Sequence, residues 1–378
     1  SVGGTMNLEE IFCPNIDCPA RGQKGEGNIR SHSLKEQRCR CTACGKTFAI
    51  SKGTPFYRLR TEAQIVIWVM VLLAYGCPLP AIVKAFGLDE RTVKDWRQRA
   101  GTHCEAVHDQ VVGQARLDLQ QVQADEIKAK IYGGVVWLAM AIMVPSRLWL
   151  GGEVSFQRDK RLIRRLADRI RRIALCRPLL LAVDGLPVYV KAFQHAFRSK
   201  APRWGQQGRC QLVAWPDIAI VQVIKRRTAA AFEIERRIVQ GCPHLIDRLR
   251  QATQAALGVI NTAYIERLNA TFRQRLAPLA RRTRHLAQQQ ATLRAGMYLV
   301  GCFYNFCDNH HSLRQRLWVG ERGYKWVQLT PAMAAGLTDH QWTADVLLMC
   351  KVPPPRWTPP KRRGRPSKEM VRLVERWC

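Results

Sequence analysis

Three carboxylates stand apart in a chain dominated by cations: Asp125, Asp184 and Glu266. The 378 residues carry 60 Lys and Arg against 29 Asp and Glu, a formal net charge of +31, so an acid held in apolar context is a candidate for chemistry. Asp125 follows an alternating, strand-like run over residues 117–124. Asp184 closes the continuous apolar run at 179–183 and precedes Gly185, which reads as a fully buried central strand with a carboxylate at its C-terminal end. Glu266 shares a helical face with Asn269 and Arg273, while Ile265, Leu268, Phe272 and Leu276 mark the apolar side. Two adjacent strands and one helix can converge these acids on two divalent ions about 3.5–4 Å apart, which activate an attacking oxygen and stabilise a leaving oxygen in phosphodiester displacement. Each acid also has a local alternative, since Asp-Gly is a common turn and a Glu beside an Arg pairs with it on a helix. Glu126, next to Asp125, points to the opposite face if the segment is a strand.

A second chemistry lies in the cysteines. Of 14, five fall between Cys13 and Cys44, and the rest are scattered singly, the distribution of reduced thiols plus one metal site. Cys13-x4-Cys18 and Cys41-x2-Cys44 are two ligand pairs separated by 22 residues. Zinc takes soft ligands in a tetrahedron, and a Cys-x-x-Cys turn delivers two thiolates to one ion. A segment this short has little core of its own, so the metal would contribute most of its folding energy. Cys39 is a fifth candidate that could replace Cys41, and His32 is a weaker one. Unliganded cysteines in a loop are the bland alternative, and no βαβ pattern supports a redox role.

The elements that must position these groups divide by texture. Thr61 caps a helix with Ile65, Trp68, Val69, Leu72 and Leu73 as its apolar stripe. A short helix over 79–86 follows, then a turn at Gly87, then an Asp89-capped helix running through Gly101 with Leu88 and Val93 inward. Arg91, Thr92, Lys94, Arg97, Gln98 and Arg99 lie mainly outward, the pattern of a helix-turn-helix with a major-groove helix, which generic helical hairpins also give. Beyond Asp125 come two strand-like runs at 134–143 and 148–156. An amphipathic helix then turns Leu162, Leu166, Ile170 and Ile173 inward and Arg161, Arg164, Arg165, Arg171 and Arg172 mostly outward. The expected divisions are 6–57 (zinc ribbon), 58–112 (helix-turn-helix), 113–310 (a mixed sheet with flanking helices), 311–351 (an extension) and 352–378 (a Pro-rich linker and basic tail).

Composition narrows the partner. With 47% apolar residues the chain can bury a core, and a charge spread along its length attracts polyanions, nucleic acid above all. The longest apolar stretches, 65–75 and 135–144, fall short of the roughly 20 residues that span a bilayer. Residues 1–10 show no signal peptide, so a cytoplasmic, nucleoid-associated prokaryotic protein is expected.

The stretch Cys41-Thr-Ala-Cys44-Gly-Lys-Thr-Phe48 resembles the N-terminal zinc ribbon of IS1-type insertion-sequence transposases. Asn261-Thr-Ala-Tyr-Ile-Glu266-Arg-Leu-Asn269 with Arg273, Arg275, Leu276, Arg281, Arg282 and Thr283 looks like that family's Glu-bearing helix. Tyr304-Asn305-Phe306 with His310 or His311 looks like the segment after it. The likeness covers roughly 11–345. It implies an α/β RNase H-like catalytic core in which Asp125, Asp184 and Glu266 bind two Mg²⁺ or Mn²⁺ ions, with Asn269, Arg273 and His310 in supporting or DNA-contacting roles and Arg281 and Arg282 on DNA. The implied activity is metal-dependent cleavage at terminal inverted repeats and 3′-hydroxyl strand transfer, on double-stranded DNA and by a homodimer or larger assembly. One departure is the 82-position step from Asp184 to Glu266. It leaves room for an insertion over about 190–260 with a basic hairpin at 219–225 and 232–239, and makes Glu235 a rival third acid. Arg363-Gly-Arg365-Pro in the tail resembles an AT-hook, whose arginines enter a narrow minor groove; a plain solvated charge run is its alternative. The rival functions are a transposase-derived DNA-binding protein without strand transfer and a nuclease acting on branched DNA.

Overall fold

The computed structural model describes residues 7–202, 205, 208–227, 232–253, 259–281, 286–320, 323–360, 364 and 366–378. It falls into two compact units, one of Ser1–Val66 with Leu348–Cys378 and the other of Ile67–Leu347.

The first unit is built on a three-stranded antiparallel sheet, β1 (Ile29–Ser33), β2 (Arg38–Cys41) and β3 (Thr47–Ala49). Its core is rich in sulfur: Cys13, Cys18, Cys39 and Cys41 are buried with Ile11, Ala20, Ile29, Phe48 and Trp377. Trp377 comes from the far end of the chain, where Lys368–Trp377 is a helix N-capped by Ser367. The end of the segment read as a Pro-rich linker and basic tail is therefore a helix packed on the Cys-rich sheet. The signal was present in Met370, Leu373, Val374 and Trp377, which recur at helical spacing. The proline segment is docked too. The Arg21 guanidinium donates to the carbonyls of Pro355 (2.7 Å) and Arg356 (3.0 Å), oxygens that an extended proline-rich chain leaves unpaired. Gly22, at φ +71°, backs onto Pro354, whose carbonyl oxygen would lie 2.7 Å from any added Cβ. Arg363 and Arg365 lie outside the described residues.

In chain order the helices begin with α1 (Ala63–Ala74), α2 (Leu79–Phe86) and α3 (Glu90–Val111). In α1 the buried positions are Val66, Ile67, Val69, Met70, Leu73 and Ala74, whereas Trp68, expected in the apolar stripe, is exposed. A helix apolar all round gives periodicity no face to choose. Gly87 ends α2 in the left-handed conformation and the Asp89 side chain caps α3. Gly101 lies in the middle of α3, which runs ten residues further to Val111. A Cβ there would sit 2.3 Å from the backbone of Ala295, so this glycine permits the close approach of α3 to a later helix.

The second unit centres on a six-stranded mixed sheet. Its strands are β4 (Gln121–Ile131), β5 (Gly134–Met143), β6 (Trp149–Ser155), β7 (Leu179–Val183), β10 (Ile218–Arg227) and β11 (Phe232–Gln240), in the order β11-β10-β7-β4-β5-β6. The short pair β8 (Arg198–Lys200) and β9 (Leu212–Ala214) stands apart. β4, β7 and β10 run parallel, and β5, β6 and β11 are antiparallel to their neighbours. The segment read as an inserted hairpin thus contributes β10 to the main sheet, beside β7, because Ile218–Val221 are as apolar as a central strand requires. Helices α4 (Lys160–Ile173) and α5 (Pro187–Ala196) lie on one face; α6 (Pro243–Ala252) and α7 (Ala263–Arg275) lie on the other. Helix α8 (Gln290–Cys302) packs on α3 and β6. The open edge of β6 is satisfied by a side chain: Asn305, fully buried, accepts from the Trp149 N–H and donates to its carbonyl, both at 2.9 Å.

Candidate metal centre

In the first unit, Sγ atoms of Cys13, Cys18, Cys41 and Cys44 all lie within 4.8 Å of one another. Cys13 to Cys44 is 3.7 Å and Cys18 to Cys41 is 3.8 Å. A tetrahedron of Zn–S bonds of about 2.3 Å has edges of about 3.8 Å, so the four thiols fit zinc. Burial pushes the Cys13 thiol up to about 12, and the neighbouring Cys41 and Cys44 add to the rise against a backbone hydrogen bond at Asn15. Thiols this crowded ionise together only around a cation. The sulfur that completes the four-thiol cluster is that of Cys41, which also receives the Asn28 amide; Cys39 is buried in the adjoining core, and His32 is exposed on β1.

The acids meet in the second unit through strand register. β4 and β7 pair from Gln121↔Leu180 to Ala124↔Val183. The next residues on each, Asp125 and Asp184, therefore stand side by side just past the last paired rung, on the face covered by α6 and α7. Asp184 uses its two oxygens differently. Oδ1 accepts from the Leu186 N–H at 2.9 Å, closing the Asp-Gly turn, and Oδ2 faces the Arg158 guanidinium at 3.4 Å. The local turn role of this residue therefore leaves its second oxygen turned to the acidic cluster.

Asp125 Oδ2 accepts from the buried Asn269 side chain at 2.8 Å, which fixes its direction from α7. The start of α7 is held from below. Gln123, two residues before Asp125 on the same face, accepts from the N–H groups of Tyr264 and Ile265 at 3.0 Å each and donates to the Asn261 carbonyl at 2.6 Å. A strand side chain thus caps the helix that carries Glu266.

Glu126 leaves β4 on the opposite face, as strand alternation requires, yet its carboxylate reaches the cluster. The buried Tyr189 hydroxyl of α5 donates to it, and Arg158 pairs with it. Because β4 continues beyond the end of β7, a side chain as long as Glu can reach around that end. Ligand oxygens of Asp125, Glu126 and Asp184 lie within 4.8 Å of one another. Glu266 lines the same cleft, of about 450 Å³, together with Asp125, Arg158, Asp184 and Lys225. Its Oε1 is engaged by Lys225 and by the Thr262 hydroxyl.

Burial pushes the Asp125 carboxyl up to about 7; a backbone hydrogen bond at Glu126 opposes this, and the charges of Glu126, Asp184 and Glu266 reinforce it. Burial also raises Glu126, against Tyr189 and Arg158. Lys225 and Thr262 hold Glu266 low despite its partial burial. An all-oxygen set of this kind suits Mg²⁺ or Mn²⁺, so the residues present fit such ions.

The other expected residues divide. Glu235 lies on β11 and pairs with Arg226 and Arg237, and it is not among the residues lining the cleft. On α3, Arg91, Lys94 and Arg99 are exposed, while Thr92, Arg97 and Gln98 are half-buried. Lys94 pairs with Glu90. Arg273 is half-buried on α7 and Arg281 is exposed; Arg282 lies outside the described residues. His310 packs edge-on against Tyr304. Glu126 was visible in sequence but assigned away by alternation. Arg158, Tyr189, Lys225 and Gln123 carried no signal of their own. Neither the comparison with protein-family models nor that with curated proteins finds a match for this sequence.

Proposed function

We propose that this chain is an Asp-Asp-Glu transposase, cleaving DNA at the ends of a mobile element and joining the freed 3′-hydroxyl to target DNA. The observation that carries the reading is the placement of Asp125 and Asp184 side by side at the ends of two parallel strands, with Glu266 on a helix lining the same cleft. A mixed sheet flanked by helices, with its acids on two adjacent strands and one helix, supports an RNase H-like core. The helix pair α2 and α3, joined through left-handed Gly87, supports a helix-turn-helix that reads the element's ends, and the four-cysteine cluster supports a zinc ribbon preceding it in the chain.

Asp125, Asp184 and Glu266, joined by Glu126, would hold Mg²⁺ or Mn²⁺, which supply charge neutralisation for attack on a phosphodiester. Asn269 keeps the Asp125 carboxylate turned to the cleft. Gln123 keeps the first turn of α7, and so Glu266, in register with β4. Arg158 and Lys225, both on the cleft wall, neutralise the acids and offer cationic partners to a phosphate. A transposase must pair two ends, so a homodimer or larger assembly on DNA belongs to this reading.

The test is nicking of DNA carrying the element's ends. Wild-type protein should cleave only with Mg²⁺ or Mn²⁺, and Asp125→Asn or Asp184→Asn should lower the rate about a hundredfold or more while duplex binding stays within about twofold. Cleavage retained in the purified double variant would refute the assignment. Cleavage of branched DNA in preference to element ends would replace the transposase by a structure-specific nuclease.

A further inference from the structure

Strands β12 (His310–Trp318) and β13 (Tyr324–Leu329) form an antiparallel ladder that the proposed catalysis does not use. Their register pairs Arg316 with Trp326 and Trp318 with Tyr324. By alternation Arg314, Arg316, Trp318, Tyr324 and Trp326 therefore share one face, while Gln315, Leu317, Lys325 and Val327 take the other. The shared face is not a core. Trp318 is 73% exposed and Tyr324 49% exposed. Its cations stack on its rings: the Arg314 guanidinium lies 4.2 Å from the Trp326 ring centre, and that of Arg316 lies 4.7 Å from Tyr324. A guanidinium stacked on a ring can keep its N–H edges open to an anion. The Trp318 ring has no such partner among the described residues. No acid occurs in either strand.

We infer that this face binds single-stranded DNA, with phosphates on Arg314 and Arg316 and an unpaired base stacked on Trp318. Arginines alternating with accessible aromatic rings grip a strand whose bases are open, since every base offers a π-face. A duplex hides those faces. The inference rests on the DNA-cleaving reading for its source of strand: a nick beside an element end frees a terminus whose bases can part. It adds a contact on a β-ladder, separate from the carboxylate cleft and from α3.

The experiment is fluorescence anisotropy with labelled random-sequence oligonucleotides, single-stranded and duplex, in an Asp125→Asn background without divalent metal. Arg314→Ala/Arg316→Ala should weaken single-strand binding about tenfold or more and reduce the slope of log affinity against log salt by about 1.4, the share of two phosphate contacts. Trp318→Ala should weaken it about tenfold with the slope unchanged. Gln315→Ala, on the opposite face, should leave binding unchanged. Single-strand affinity and slope unaltered by all three changes would overturn the inference, as would a loss confined to duplex. Self-association abolished by Trp318→Ala, with DNA binding intact, would instead assign the face to a second copy of the chain. Because binding is read in a catalytically silent background, its outcome is independent of whether the carboxylates cleave; single-strand binding by this face with no nicking by wild type would sink only the catalytic reading.

Discussion

At the level of single residues, the cleft is a balance between clustered acids and the cations that hold them together. Arg158 bridges Glu126 and Asp184, occupying charge that a divalent ion would otherwise neutralise. Arg158→Ala should therefore lower the stability of the metal-free protein by about 1–3 kcal/mol, toward the lower end because the guanidinium is partly exposed. It should also tighten Mn²⁺ binding by removing a competitor. Thermal melts across a Mn²⁺ titration check both: the variant should melt lower without metal and gain more from it. A variant that melts lower but gains less would show that Arg158 orders the acids rather than competing for them. Asp184 makes a related point, since one of its oxygens shapes the turn and the other serves the site.

Elements are tied to one another by buried polar groups. Gln123 reaches from β4 to cap α7, so Gln123→Ala should cost about 1–3 kcal/mol by orphaning the buried Ile265 N–H and the half-buried Tyr264 N–H and Asn261 carbonyl. It should also slow cleavage although every carboxylate is present, while Gln123→Glu, which keeps the acceptor, should restore part of the rate. Amide exchange in the first turn of α7 reports the same loss directly. A second tie joins α3 to the sheet and α4. The buried Arg169 guanidinium contacts Asp109 at 2.7 Å and Glu153 at 3.0 Å, and Arg294 of α8 contacts Glu105 at 2.6 Å. Burial alone would raise Asp109, but His108 and the Arg169 guanidinium beside it hold the carboxyl down, from an ordinary 3.8 to about 2. A depressed acid stabilises the fold above its unfolded value and loses that contribution as pH falls through the folded one. Asp109→Asn should thus be less stable than wild type at pH 7, and the gap should close between about pH 4 and pH 2. Denaturant melts at several pH values measure it, and a gap that widens on acidification would contradict the linkage.

On the scale of the whole molecule, the chain closes its two ends into one unit, with Trp377 buried beside the four-cysteine cluster. Such a core has few apolar side chains, so a metal bound by the four thiols would contribute most of its stability. Zinc content should be one ion per chain, and Cys41→Ser should lose it. A chelator should unfold this unit and expose Trp377, seen as a red shift and quenching of tryptophan emission, while the mixed sheet keeps its circular dichroism. Trp377→Ala should weaken zinc retention without touching a ligand. Unchanged retention would mean the C-terminal helix merely rests on a cluster that is self-sufficient. The surplus of +31 sets a different expectation, that nonspecific DNA affinity falls steeply with salt.

What the sequence by itself determined was mostly local and periodic. The five-residue apolar run of β7, the arginine-studded face of α4, the turn at Gly87 and the two cysteine pairs are each written within a few residues, where composition and spacing carry the physics. Tertiary structure decided what depends on register and on chain ends meeting. Glu126 joins Asp125 and Asp184 because β4 outlasts β7, a difference in strand length that no alternation pattern records. The stretch at 218–227 became a central strand because its apolar residues found β7, and the last helix gained a partner in a sheet more than three hundred positions upstream. Side chains such as Gln123 and Arg158 acquire their roles only from neighbours distant in sequence, so no reading confined to their own surroundings can find them.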